Sequence, residues 1–293
     1  MRNQEFSLSV VIPTYNRADY LERALESLSR CRGVDEILVV NDGSTDETGE
    51  VLEKWRPRFN MMIVEHEERL GTPRSFNEAI RSNCDIVFFT ADDHVYPDTD
   101  LFVEMRRHFS REEVGIVGCR MVKDGKSSFR LPGKDSGIPK LLTNLRKVLD
   151  DRSRYIDVNH EYVVGAMAVR RGILDSVKFS TEYGGNCNYE EQDFQKRVHD
   201  LGYEIFYDSS LIIRHTPAKS GGHRRFKEKG YLYWHFRNRM IYLTRHSRWR
   251  LLFYPVLHIL RNWFFRRYPK TFLRACLDGF KLGILAKEVG RYD

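Results

Sequence analysis

Four short apolar runs constrain this chain more than any other feature, because each breaks off in polar residues and gives way to a helix-patterned stretch. "LSVVIP" (8–13), "EILVVNDGS" (36–44), "MMIVEH" (61–66) and "DIVFFTA" (85–91) read as strands. After the first, Tyr20, Leu21, Ala24, Leu25 and Leu28 recur at helical spacing behind Asn16, a residue able to cap them. After the second, "DETGEVLEKW" carries acids in its first turn, which suits a helix dipole. "PRSFNEAIRS" (73–82) follows the third as another helix. Continuous apolar strands alternating with helices predict βαβ units and a mainly parallel sheet covered on both faces. Residues 1–100 therefore read as a doubly wound α/β half.

In such sheets, ligands settle in the crevice beyond the carboxyl ends of the strands. The polar residues fall there. The first strand ends in "PTYNR", the second in "NDGSTD" and the fourth in "TADDH". Taken alone, Asp92 and Asp93 make a solvated turn after a buried strand. Three strand ends carrying Asp42, Asp92 and Asp93 instead call for a cation, and hard carboxylate oxygens suit Mg²⁺ or Mn²⁺. No G-x-G-x-x-G follows the first strand, no G-x-x-x-x-G-K-[ST] occurs, and no G-x-S-x-G elbow appears. A dinucleotide cofactor, a P-loop and a hydrolase triad are thereby disfavoured.

The length of 293 residues suits one large domain, or one domain with an appendage. Five scattered cysteines argue against a zinc ribbon or a disulfide scaffold, and the N-terminal residues lack a signal-peptide pattern, so a reducing cytoplasm is expected. Charge is distributed unevenly. Residues 211–293 hold 19 Lys and Arg against 4 Asp and Glu, whereas residues 1–210 hold 29 against 37. An acidic body carries a basic tail, which suits an anionic partner.

"SVVIPTYNRADYLERALESL", "VVNDGSTDET", "DIVFFTADDHVYPD" and "NYEEQDFQKRVHDLGYEIFYDSSLIIRH" together resemble the successive motifs of family 2 glycosyltransferases, from about Ser7 to about Gly222. The resemblance implies a GT-A fold, Rossmann-like, with a mixed but mainly parallel sheet and flanking helices. It also implies an inverting transfer from a nucleotide-sugar donor. In that family the first two motifs hold the nucleotide, which here points to Pro13, Thr14, Tyr15 and Arg17, with Asp42 on the base. The Asp-x-Asp-type motif is shortened: Ala91 stands where many members have an acid, leaving Asp92 for the sugar-nucleotide side and Asp93 for the metal. The family's Glu-Asp motif matches Glu190 and Glu191, a Glu in place of the usual Asp. Glu191 is the expected general base and Glu190 the residue that orients the acceptor, with Asp193 as the alternative base.

A base is needed because a sugar hydroxyl is a poor nucleophile near neutral pH, and a positioned carboxylate contributes about 10²–10⁴-fold. A bound metal neutralises the departing diphosphate. One base and one metal describe a single in-line displacement, which inverts the anomeric centre. His215 ends the strand "SLIIRH"; in many relatives a histidine there completes the metal shell, and a lone histidine is otherwise structural. Arg74, and Arg224 or Arg225, match phosphate geometry, with solvated surface as the competing role. "YVVGAMAVRRGIL" (162–174) reads as a strand whose Gly165 and Ala166 either admit a sugar or simply pack.

The tail interleaves aromatics with arginines. Its weakly charged run, Leu251 to Leu260, falls well short of the ~20 apolar residues of a membrane span. Interfacial helices on an anionic membrane, a helical pair packed on the catalytic domain, and nucleic-acid stacking all compete here, and the resemblance favours the membrane. The expected division is a catalytic domain over 1–222 (a nucleotide half to 100, an acceptor half from 101) and a basic helical extension over 223–293. The expected activity is transfer to a glycan or lipid-linked glycan, peripherally at the cytoplasmic face, with no nucleic acid bound. The alternatives are a polyprenyl-phosphate sugar synthase or a non-catalytic nucleotide-sugar or membrane-binding protein.

Overall fold

The computed structural model describes residues 6–123, 126–127, 156–158, 163, 165–185, 189–218, 228–246 and 268–289. At its centre lies β1 (Leu8–Thr14), whose Leu8, Val10, Val11 and Ile12 are wholly buried. Strands β2 (Glu36–Asn41) and β4 (Ile86–Phe89) flank it in parallel, and β3 (Met61–Glu65) extends the sheet beyond β2. β1, β2 and β4 are buried along nearly their whole length, as continuous hydrophobic runs require, whereas the edge strand β3 is only partly covered. Helix α1 (Ala18–Leu28) buries Leu21, Ala24, Leu25 and Leu28; α2 (Thr48–Trp55) buries Leu52 and Trp55. The third crossover is α3 (Thr72–Asn77), whose chain tightens into a 3₁₀ turn over Glu78–Arg81.

Beyond β4 the sheet becomes mixed. The short strand β5 (His94–Val95) and α4 (Leu101–Arg107) lead into β6 (Val114–Lys123) and its partner β7 (Lys126–Ser127). They are followed by β8 (Ile156–Val158), β9 (Met167–Arg170), α5 (Glu190–Asp200) and β10 (Glu204–His215). The ten strands form one sheet in the order β3-β2-β1-β4-β9-β6-β10-β5, with β7 on β6 and β8 on β10. β9 runs antiparallel to β4 and β6, and β5 runs antiparallel to the end of β10. Among its described residues, the run expected as a strand over 162–174 is strand over Met167–Arg170. It continues as a 3₁₀ turn over Arg171–Asp175, while Gly165 takes φ +89°.

The chain forms two compact units. The first, residues 1–70, 75–177 and 195–218, contains the whole sheet. The second joins 71–74 and 178–194 to everything from Lys219 on. Its frame is α6 (Glu228–His246) packed on α7 (Pro269–Val289) through Phe236, Met240, Leu243, Phe272, Ala275 and Cys276. A Cβ on Gly279 would stand 2.3 Å from the Arg237 carbonyl oxygen, and one on Gly283 2.6 Å from Thr244 Cβ, so the two helices approach backbone to backbone. Among the described residues no helix is long and apolar enough to cross a membrane. The run Leu251–Leu260 lies outside the described residues.

Candidate active site

The chain leaves β4 at Phe89 and turns through Asp92 and Asp93 into β5. Both carboxylates are buried. Asp92 accepts hydrogen bonds from Thr14 Oγ1 at 3.0 Å and from Arg17 Nη1 at 2.8 Å, so the end of β1 closes over it. Burial pushes its carboxyl up to about 6, against the pull of Arg17 and with a further push from Asp93. Asp93 has partners of its own. Its Oδ2 meets His215 Nε2 at 3.3 Å and accepts from the Ala218 amide at 3.2 Å, while its carbonyl accepts from Thr216 N and Oγ1 at 2.8 and 2.9 Å. Burial acts to raise its pKa, but the His215 hydrogen bond and the charges of His94 and His215 hold it well below the usual carboxylate range.

His94 stands directly opposite His215 across the β5–β10 ladder, their rings edge-on at 5.3 Å. Asp93, His94 and His215 each offer a ligand atom within 4.8 Å of the others. His94 Nδ1 is tied to Thr90 Oγ1 at 2.9 Å, which fixes the ring, and burial lowers its pKa to about 4, so it is a neutral imidazole near pH 7. One carboxylate oxygen and two imidazole nitrogens form a mixed donor set that suits a divalent transition-metal ion better than Mg²⁺, which prefers an all-oxygen shell. These three side chains can hold such an ion.

On the other side of β1, Asp42 follows β2 and is set by its amide on Thr14 O at 2.9 Å. Its Oδ1 accepts from the Leu70 amide and pairs with His66 Nδ1, both at 2.8 Å. The Arg69 guanidinium lies 4.5 Å from the centre of the Tyr15 ring. Asn16 does not cap α1. It takes φ +51°, accepts from Thr45 N through Oδ1 at 2.7 Å, and donates its amide to Ser44 Oγ at 3.0 Å. The first amide of α1, that of Ala18, is instead satisfied by Asp46 Oδ2 at 3.1 Å. A side chain from the next loop thus replaces the local cap.

In the second unit, Glu190 and Glu191 open α5. Tyr189 immediately before them has φ +78°, a conformation that costs a non-glycine residue about 1–3 kcal/mol. Glu190 is buried, with Oε2 lacking a hydrogen-bond partner among the described residues. Burial, and then the charge of Glu191, raises its pKa well above the ordinary range. Glu191 is half-buried. Asp193 is wholly buried and receives Tyr183 Oη at 3.0 Å and Arg245 Nη1 at 3.3 Å, with His246 Nε2 at 2.8 Å.

The structure thus gathers Thr14, Arg17, Asp92, Asp93 and His215, while Asp42, joined to Thr14 through its amide, pairs its carboxylate with His66. Pro13, the penultimate residue of β1, is half-buried, and Arg74 is exposed on α3 in the second unit. Arg224 and Arg225 lie outside the described residues. Two residues escaped the sequence reading. His94 adjoins the aspartate pair, and His66 follows the third strand and meets Asp42. Both fall where strand ends collect polar groups, which is the signal that could have found them.

The sequence profile of glycosyl transferase family 2 matches residues 9–177. Glycosyltransferase GlyA of Streptococcus pneumoniae serotype 4 is 30% identical over 229 residues, 76% of this chain and 32% of GlyA. EpsH of Bacillus subtilis strain 168 is 25% identical over 236 residues, 76% of this chain. The chain spans 64% of the length of EpsH and less of GlyA. Among solved structures, mannosyltransferase PcManGT from Pyrobaculum calidifontis, in complex with GDP-Man and Mn²⁺, superposes with a TM-score of 0.60 at 21% identity. That match covers 94% of this chain and 74% of that one. TarS 1–349 of S. aureus with UDP-GlcNAc gives 0.59 at 14%, covering 97% and 92%. At these identities the likeness shows the fold, a GT-A fold with a helical C-terminal region. Profile and fold agree: the chain belongs to glycosyl transferase family 2.

Proposed function

We propose that this chain is an inverting, metal-dependent glycosyltransferase that moves a sugar from a nucleoside-diphosphate donor to a hydroxyl of a glycan or lipid-linked glycan. The observation that carries this is the convergence of Asp93, His94 and His215 beside the ends of β4 and β10, in a chain of glycosyl transferase family 2. The neighbours named above hold GDP-Man with Mn²⁺ and UDP-GlcNAc, which supports a nucleotide-sugar donor and a Mn²⁺ ion.

In this proposal Asp93, His94 and His215 hold the ion, which when bound neutralises charge on the departing diphosphate. Asp42, fixed by His66 and the Leu70 amide, binds the base. Pro13, Thr14 and Tyr15 line the nucleotide. Asp92 takes the sugar-nucleotide side, and Arg17 keeps its charge matched. Arg74 meets the diphosphate. Glu190 orients the acceptor hydroxyl, and Glu191 accepts its proton as the oxygen attacks the anomeric carbon. The basic extension over 223–293 contacts an anionic membrane surface peripherally at the cytoplasmic face.

The test is transfer from labelled GDP- and UDP-sugars with Mn²⁺ to glycan and polyprenyl-linked acceptors, with product stereochemistry read by NMR. The product should carry the opposite anomeric configuration from the donor. Glu191→Gln should cut kcat by about 10²–10⁴-fold with donor affinity nearly unchanged. A retained anomer, or near-normal turnover in Glu191→Gln, overturns the mechanism.

A further inference from the structure

The first turn of α5, which carries Glu190 and Glu191, is gripped by the last turn of α6. Asp193 projects from that first turn, one residue beyond Gln192, and its Oδ1 receives His246, Tyr183 and Arg245. Arg245 also donates to Ser180 Oγ at 3.1 Å and is paired with Glu182. Asn238 and Arg237, further back on α6, donate at 2.9 Å to the carbonyls of Gly184 and Glu182 in the segment that leads into α5. The rings of His235 and Tyr242 stand 5.7 and 5.8 Å from that of Tyr189.

This is an expensive way to join two helices. The Asp193 and Arg245 side chains are 0% and 2% exposed, and apolar residues of similar volume commonly stabilise as well as a buried ion pair does. What ions add is direction. A carboxylate suits the positive start of α5 and cations suit the negative end of α6, so this arrangement fixes which helix end meets which. The strained backbone of Tyr189 is held from the same helix.

We propose that His246 and Arg245 are positioning residues of the transfer reaction, holding Asp193 and through it the aim of the Glu190–Glu191 carboxylates. The proposal rests on Glu191 being the base. It assigns Asp193 a role as anchor, since all three donors converge on one of its oxygens, and it makes α6 part of the catalytic apparatus.

The test measures kcat, Mn²⁺-dependent donor affinity and melting temperature for His246→Ala, His246→Gln, Arg245→Lys and Glu191→Gln, and for His246→Ala combined with Glu191→Gln. Misplacement of about 1 Å can cost 10²-fold, so His246→Ala should lower kcat by about 10- to 100-fold with donor affinity within twofold. Free imidazole, or the Gln variant, should restore part of the loss. In the Glu191→Gln background His246→Ala should cost little more, because the group it aims is gone. Arg245→Lys keeps the charge but not the fork, and should lower kcat while the fold persists. The inference is overturned if kcat in His246→Ala is normal while Glu191→Gln is impaired, if it falls only with the folded fraction, or if the two losses multiply. Normal turnover in Glu191→Gln overturns the base assignment, and this inference with it.

Discussion

Arg17 donates through Nη1 to Asp92 at 2.8 Å while standing 3.7 Å from Asp93, so one guanidinium serves both members of the aspartate pair. Two adjacent carboxylates at the end of a buried strand are tolerable because each already has a cation or donors: Arg17 and Thr14 for Asp92, His215 and the Ala218 amide for Asp93.

Removing Arg17 should unsettle the fold more than a surface arginine would. Arg17→Met leaves Asp92 buried without its cation, which costs about 3–5 kcal/mol in urea unfolding. Asp92→Asn in the same chain should recover most of that. Equal stability of wild type and Arg17→Met would show that the pair is solvated after all.

Metal dependence should reside in the triad. A donor at 100 times its Kd adds about 2.7 kcal/mol, several degrees of melting temperature, when Mn²⁺ is present. Asp93→Ala should abolish the Mn²⁺-dependent part, and His94→Gln should weaken it without unfolding the chain. Full retention in His94→Gln would reduce the shell to Asp93 and His215.

Glu190 should make stability depend on pH in a definite direction. Its folded-state pKa lies above the unfolded value, so its contribution is fully present below the unfolded pKa of about 4.3 and is lost as pH rises through the folded one. Glu190→Gln should therefore melt close to wild type near pH 4 and above it near pH 8. Parallel melting curves across that range would mean that Glu190 ionises as an exposed acid.

The membrane contact should map to one face of α7. Leu273, Leu277, Phe280 and Ile284 recur at helical spacing and are all exposed, with Lys270, Arg274 and Lys281 beside them. Leu277→Glu with Phe280→Glu should weaken sedimentation with anionic vesicles at least about tenfold while leaving the melting temperature unchanged, and salt should weaken it in wild type. Undiminished binding by the double variant would move the contact off this face.

Apolar runs reveal β1, β2 and β4 because burial along the whole strand leaves no polar alternation to confuse, and Asp93 and His215 are legible as the polar residues that follow or end such runs. The run over 162–174 misled because Val163 and Ala166 are buried without being strand, as the chain bends at Gly165. Asn16 misled because its side chain serves a neighbouring loop, a partner 29 residues away that no local pattern encodes. His94 was passed over because its facing residue, His215, meets it only once β5 has paired with β10. The anchoring of Asp193 by Arg245 and His246 was equally hidden, since it joins residues more than 50 positions apart.

The stitching of Asn16 to Ser44 and Thr45, and of Ala18 to Asp46, has a consequence for how donor preference can change. These bonds tie the loops after β1 and β2 to each other through the chain's own side chains, so in the proposed donor site less ordering entropy remains to be lost when a nucleotide arrives. The two loops behave as one preorganised part. Grafting either of them alone from a relative with another nucleotide would sever the lacing and loosen both, whereas exchanging them as a pair would carry the new preference across intact.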